Sequence, residues 1–235
     1  MPDLIAHPPF PGFRDEAFAF LRTLRENNRR DWFKPRKETY VDELKGPLEC
    51  LIADVARRMQ EAGLPLTGDP KKSRFRIYRD TRFSNDKRPY KTNVGCVFDR
   101  SGRKDKSGVV YVHVEPDNCF LAAGFYKPAV KYLKPVRRRI ADDPERFYGL
   151  LEQMDERGLP VHSRGDTLTG MPRGFADYRD ADRLADVLRW QHYLVNRQFE
   201  ESDLQAPDFA EEVVRIGREA LPLLRYVWEA HGEGA

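Results

Sequence analysis

The sequence is poor in the residues that would define a simple chemical class. It has three cysteines, Cys50, Cys96 and Cys119, far apart and in no C-x-x-C pair. That excludes a disulfide framework and a thiolate zinc site, and it suits reduced, mostly buried thiols in a cytoplasm. Histidine is scattered as well: His7, His162, His192 and His231 show no H-E-x-x-H or other ligand spacing, so no metal is expected. The G-x-x-x-x-G-K-[ST] and G-x-S-x-G patterns are missing, which leaves a P-loop or a hydrolase nucleophile elbow without support. No cofactor is implied. Long apolar runs are missing too. The longest, Cys119 to Tyr126, is far too short to span a bilayer, so no membrane partner is expected. Met1 to Phe13 lacks the basic-then-apolar pattern of a signal peptide, and the expectation is a cytoplasmic protein. The net charge is only +3, so any attraction to an acidic partner must come from local clustering.

What is present is a chain of 235 residues, 40% hydrophobic and 34% charged, enough to bury a core without staples. Ala17, Phe20, Leu21 and Leu24 recur at helical spacing between Arg14 and Glu26. Asn28 is placed to cap a second helix, with Asp31 three residues on. Pro47 opens a helix whose buried stripe is Leu48, Leu51, Ile52, Val55 and Met59, stopped at Gly63. Arg74 to Asp80 alternates as a half-buried strand, with Arg76, Tyr78 and Asp80 on one face. Val94 to Phe98, Val109 to Val114 and Cys119 to Phe125 are strand-length runs. The connections between them are short, so the strands form an antiparallel meander. Arg100 to Gly108, carrying Arg103, Lys104 and Lys106, reads as a solvated hairpin tip.

Helices resume at Pro128 and at Pro144, the second ending near Gly158. Residues 159–206 read as irregular, with short strands at Val161–Leu168 and His192–Phe199. A last helix spans about 208–230, with a kink expected at Pro222. The expectation is therefore an α+β single domain over residues 1–235. A mainly antiparallel sheet, its meander at about 74–125, is packed by N-terminal and C-terminal helices.

The densest chemistry lies between Lys71 and Thr92, which holds nine Lys or Arg against Asp80 and Asp86. Phe75, Tyr78, Phe83 and Tyr90 interleave with them. Guanidinium forks and lysine ammoniums suit phosphate or carboxylate, and aromatic faces suit planar ligands. Phe83 is placed to anchor the loop, and Pro89 fixes a turn. The structural alternative is a pinned loop in which Asp80 pairs with Arg79 or Arg82, and Asp86 with Lys87 or Arg88. His113 and Glu115 share one strand face. With no P-C-x-x-C after them, they read as a buried or surface pair rather than part of a zinc deaminase. Neither Ser84 nor Tyr90 has a base beside it in sequence.

The chain resembles the uncharacterised bacterial and fungal family known as domain of unknown function 2461. The resemblance rests on Asn27-Asn28 to Trp32-Phe33 and on R-I-x-R-D-x-R-F-S-x-D-K-x-P-Y-K-T at Arg76 to Thr92. Gly124 to Pro128 and Pro172 to Phe175 agree with it. Ala123 stands where similar proteins often carry a second glycine. The resemblance implies no activity and no catalytic residue. It does mark Arg76, Arg79, Asp80, Arg82, Ser84, Asp86, Lys87, Tyr90 and Lys91 as candidate ligand-binding positions, with Asn28 and Trp32 behind them. Tyr126 joins the set because it lies just before the helix expected at Pro128, whose amino end favours an anion.

Three functions are open on these residues. The first is binding of a ligand bearing phosphate or carboxylate, an anionic small molecule, through Arg76 to Lys91. The second is an enzyme with Asp80 or Asp86 as general base and arginines stabilising developing charge. The third is a nucleic-acid or protein interaction module with a basic stripe reaching the Arg100–Lys106 tip. The first asks least of the sequence and is preferred.

Overall fold

The computed structural model describes residues 7–82, 84–102, 104 and 108–232. Phe83, and Arg103 and Lys106 of the expected hairpin tip, lie outside the described residues. The N-terminal helices follow the apolar spacing. α1 is Asp15–Glu26, burying Ala17, Phe18, Phe20, Leu21 and Leu24. Short turns α2 (Arg30–Phe33) and α3 (Lys37–Tyr40) follow, then a π-helical turn at Val41–Lys45. α4 (Gly46–Glu61) carries Pro47 in its first turn, and Gly63 beyond its end takes φ +63°. Asn28 does not cap α2. Arg29 holds the cap position, without a side-chain bond, because the Asn28 amide is engaged elsewhere.

The strands fall where β-branched and apolar residues run together: β1 (Val94–Phe98), β2 (Val109–Val114), β3 (Cys119–Phe125) and β4 (Tyr193–Phe199). They form one antiparallel sheet in the order β1-β2-β3-β4. Val94 faces Val114 and Phe98 faces Val110 across the first pair. The fold class is therefore α+β. Arg74 to Asp80 does not supply the fourth strand. It makes isolated bridges only, because its partner backbone carries extra residues. Val161–Leu168 likewise makes only the bridges His162↔Leu194 and Thr167↔Trp190.

In the C-terminal half α5 (Val130–Asp142) begins two residues after Pro128, and α6 (Pro144–Glu156) is capped by Asp143, which accepts from the Arg146 N–H. The stretch expected to be irregular holds α7 (Asp182–Arg189), with Leu184, Val187 and Leu188 buried, and α8 (Glu201–Gln205). The last helix is two, α9 (Phe209–Glu219) and α10 (Leu221–Ala230), parted just before Pro222, whose ring cannot continue the ladder behind it.

Contacts divide the chain into two compact units. The first holds Met1–Asp105, Val110–Leu121 and Gln198–Ile216. In it α4 packs on β1, and Phe10, Phe13, Phe18 and Phe209 form a buried aromatic cluster. Asp54, buried in α4, accepts from the Phe10 N–H and from Arg57 and Arg58, so its charge is fully bonded. The second unit holds Lys106–Val109, Ala122–Arg197 and Gly217–Ala235. There α5 packs on α6, α7 and α10. Gly124 at φ +131° lets β3 approach β4 so closely that a Cβ would sit 2.3 Å from the Tyr193 carbonyl oxygen. Gly124 alone supplies this approach, and the neighbouring Ala123 is simply buried. Among the described residues, no helix is long and apolar enough to cross a membrane.

Candidate functional site

The basic segment folds as a distorted hairpin in the first unit. Val97 N–H donates to Ser73 O at 3.1 Å, Phe75 N–H to Gly95 O at 2.9 Å, Lys91 N–H to Ile77 O at 2.7 Å and Arg79 N–H to Pro89 O at 2.9 Å. The bridges are Arg74↔Cys96 and Tyr78↔Tyr90. Between them the second leg has two residues more than the first. The excess falls around Thr92 and Asn93 as a bulge that breaks the ladder.

The tip of this hairpin is closed by its own charges. Asp80 accepts from Arg82 Nε at 2.9 Å and from the far guanidinium nitrogen at 2.7 Å. Asp86 takes Arg88 in the same way and Arg79 as well. The Ser84 hydroxyl accepts from the Asp86 N–H, and Lys87 Nζ donates to the Thr81 carbonyl at 3.0 Å. Arg82's side chain, helped by its backbone N–H, holds Asp80 down to about 2. Arg88 and Arg79 hold Asp86 well below the usual carboxylate range. A carboxylate so strongly acidic is a poor proton acceptor at neutral pH, so neither aspartate has the isolated, desolvated setting that a general base needs.

Three other candidates are anchors. The Asn28 amide brackets one peptide unit, donating to Tyr90 O at 2.9 Å and accepting from Tyr90 N at 3.0 Å. Tyr90 is 5% exposed, its ring stacked on Phe33 with centroids 4.1 Å apart. Trp32 packs on Phe20 at 5.5 Å and is roofed by the Arg36 guanidinium at 4.6 Å. These residues fasten the hairpin to α1 and α2.

Arg76 and Lys91 are different, and Lys104 joins them. After β1 the buried Asp99 carboxylate accepts from Ser101 N–H and Oγ and from Gly102 N–H, curling the chain back. The Ser73 hydroxyl reaches the Gly102 carbonyl. The curl delivers Lys104, held at φ +63°, onto Phe75. Lys104 Nζ lies 5.1 Å and Lys91 Nζ 5.2 Å from the Phe75 ring centroid. Among the described residues, none of Arg76, Lys91 and Lys104 has a carboxylate within ion-pair distance, whereas neighbouring Arg74 is paired with Glu49 at 2.8 Å. Burial, then the charges of Lys104 and Arg76, pushes the Lys91 ammonium below the usual lysine value. Burial, then Arg74 and Arg76, does the same to Lys104. Sequence reading left Lys104 in a solvated tip. The Asp99 curl is local, and the long-range tie of Ser73 to the Gly102 carbonyl holds it against the hairpin.

Tyr126 belongs to the second unit. Its exposed ring stacks on the buried His192 at 4.9 Å. His192 Nδ1 accepts from the Lys127 N–H, and Nε2 meets Asp166 at 2.7 Å. α5 starts at Val130, so Tyr126 does not immediately precede its amino end. Among the described residues no group of three His, Cys, Asp or Glu side chains gathers as a metal ion would need.

A family model described as conserved hypothetical protein (DUF2461) matches residues 16–226. No curated protein and no solved structure matches the chain.

Proposed function

The chain thus belongs to the DUF2461 family, and from its basic hairpin we propose that it binds a small molecule bearing phosphate or carboxylate at Arg76, Lys91 and Lys104. One observation carries the reading: the Lys91 and Lys104 ammoniums both lie over the Phe75 ring, near enough to Arg76 for its charge to lower the pKa of both, and none of the three has a described carboxylate in ion-pair distance, beside a tip in which Arg79, Arg82 and Arg88 are paired. Like charges brought together and partly desolvated raise the free energy of the empty site, and an anion relieves that cost on binding. Lysine ammoniums supply point charge, and the exposed Arg76 adds a planar fork suited to two oxygens of one group. A cytoplasmic setting fits the same reading, since all three cysteines are free thiols and Cys96 and Cys119 are buried.

Calorimetric titration with inorganic phosphate, sugar phosphates, nucleotides and dicarboxylates tests this. Wild type is expected to bind one class. Lys91→Met is expected to weaken that binding about tenfold or more, a loss of about 1.4 kcal/mol or more typical of a charge-assisted hydrogen bond. Arg82→Ala is expected to leave it unchanged, because that guanidinium already serves Asp80. Equal losses in both variants, or no binding by any anion, would overturn the proposal.

A further inference from the structure

Against Phe75 stands a line of three polar side chains that the anion reading does not use. Tyr111, His113 and Glu115 leave one face of β2 and the turn after it, as period-two alternation requires. The Tyr111 hydroxyl lies 2.7 Å from His113 Nδ1, and His113 Nε2 lies 3.2 Å from Glu115 Oε2. Tyr111's ring is 5.8 Å from Phe75, edge to face, so Phe75 is the wall shared with Lys91 and Lys104.

The surroundings fix the direction of the proton. Burial would raise Glu115, but hydrogen bonds from Thr92, His113 and Asn118 outweigh it and hold the carboxyl below its usual value. An ionised Glu115 only accepts, so Nε2 carries the ring hydrogen, and Nδ1 is left to accept from the Tyr111 hydroxyl. The imidazole is 7% exposed, stacked on Phe120 at 4.6 Å and lined on its edge by the Asn93 amide. Arg25, 3.9 Å from Glu115, faces the carboxylate end of the line, and Lys91 and Lys104, over the Phe75 ring that Tyr111 touches, face the phenol end. Across the sheet, Gly95 faces His113, and a Cβ there would meet the Tyr111 hydroxyl at 3.0 Å and the Val112 carbonyl at 2.5 Å. Glycine at that position makes room for the phenol to reach the imidazole.

We propose that Tyr111, His113 and Glu115 form a proton relay that makes the anion site a catalytic one, Tyr111 exchanging the proton with a substrate that carries a phosphate or carboxylate and an ionisable O–H. The inference rests on the anion-binding reading. The substrate O–H gives its proton to the Tyr111 oxygen while Tyr111 passes its own to His113 Nδ1. The imidazolium is then held by Glu115, and the charge left on the substrate falls beside Lys91, Lys104 and Arg76. The reverse path gives the proton to the product, which resets the relay with no net change in its own protonation. Tyr111 is the catalytic residue; His113 and Glu115 position and poise it.

The test uses 4-(fluorosulfonyl)benzoate and its neutral analogue benzenesulfonyl fluoride on the whole protein, read by peptide mass spectrometry. The phenol oxygen forms a bond to sulfur, the S–F bond breaks, fluoride leaves, and the phenolic proton goes to His113. Tyr111 is expected to label about tenfold faster than the exposed Tyr78 and Tyr126, faster with the carboxylate probe than the neutral one, and more slowly when inorganic phosphate is added. Glu115→Gln, which keeps the shape but not the charge, is expected to move the labelling–pH midpoint down by about one unit, a shift that a merely structural role would not produce. Uniform labelling of the three tyrosines while phosphate still binds would overturn the relay. Selective labelling of Tyr111 that is equal for both probes and indifferent to phosphate would overturn the link to the anion site, and with it the anion reading.

Discussion

The tip and the base of one hairpin are equally basic in sequence and opposite in electrostatic state. At the tip, Asp80-Thr81-Arg82 and Asp86-Lys87-Arg88 repeat a carboxylate two residues before an arginine, and each aspartate accepts from both the backbone N–H and the guanidinium of its arginine. At the base, Lys91 and Lys104 come from separate stretches and meet over Phe75, near enough to feel the charge of Arg76, and none of the three has a described carboxylate in ion-pair distance. Charge that is neutralised within two or three residues makes a stiff loop. Charge assembled by tertiary contacts, with no carboxylate paired to it among the described residues, stores attraction for a ligand. The number of basic residues in a segment therefore says less about binding than which of them the fold pairs with a carboxylate.

The sharpest way to break both regions together is Asn28→Ala. The change orphans the N–H and C=O of Tyr90, a half-buried peptide, and removes the tie between the hairpin and α1–α2. A loss of about 2–4 kcal/mol is expected from two unsatisfied groups, read as a lower urea midpoint. If stability hardly changed and anion binding vanished instead, Asn28 would belong to a binding site after all. Gly95→Ala is narrower. Its methyl group would press on the Val112 carbonyl and the Tyr111 hydroxyl, and overpacking of this kind costs about 1–3 kcal/mol. The tip pairs lie outside its reach. Phosphate affinity is expected to fall less than Tyr111 reactivity, which separates the relay from the cations.

Much of this molecule was legible from short-range pattern. Val94–Phe98, Val109–Val114 and Cys119–Phe125 read as strands because apolar and β-branched runs between turn residues leave few other options. The pairing of Asp80 with Arg82 and Asp86 with Arg88 was open to reading too, since two residues of spacing suffice. Other features depend on partners distant in sequence. Arg74 to Asp80 alternates like a strand, but the bulge that denies it a ladder sits on the opposing leg. Asn28 has the residue type of a helix cap, yet its amide is claimed by a peptide 62 residues away. α7 was hidden behind the glycines and prolines that precede it. Lys104 reads as solvent-facing until the tie of Ser73 to Gly102 is known, and His113–Glu115 reads as a simple pair until Gly95 admits Tyr111.

The smallest expected effect is in the pH dependence of stability, where tip and base differ in sign at neutral pH. Asp80 titrates at about 2 in the fold and near 3.9 unfolded, so its pair contributes stability fully above about pH 4 and loses it as pH falls toward about 2. Lys91 and Lys104 are lowered from the ordinary lysine value of about 10.4, so the unfolded chain binds more protons in the window below that value. Their charge therefore costs stability at neutral pH, and the cost is relieved as pH rises through that window. Asp80→Asn is expected to lower the urea midpoint slightly at pH 7 and to flatten the acid limb. Lys91→Met is expected to raise the midpoint at pH 7 and to flatten the alkaline limb. Saturating phosphate gives Lys91 and Lys104 a counter-charge, so it is expected to move the alkaline limb of wild type to higher pH and that of Lys91→Met less, because Lys104 alone then titrates there. An alkaline limb that ignores phosphate in both proteins would mean that the cations at Phe75 are a packing solution and not a binding site.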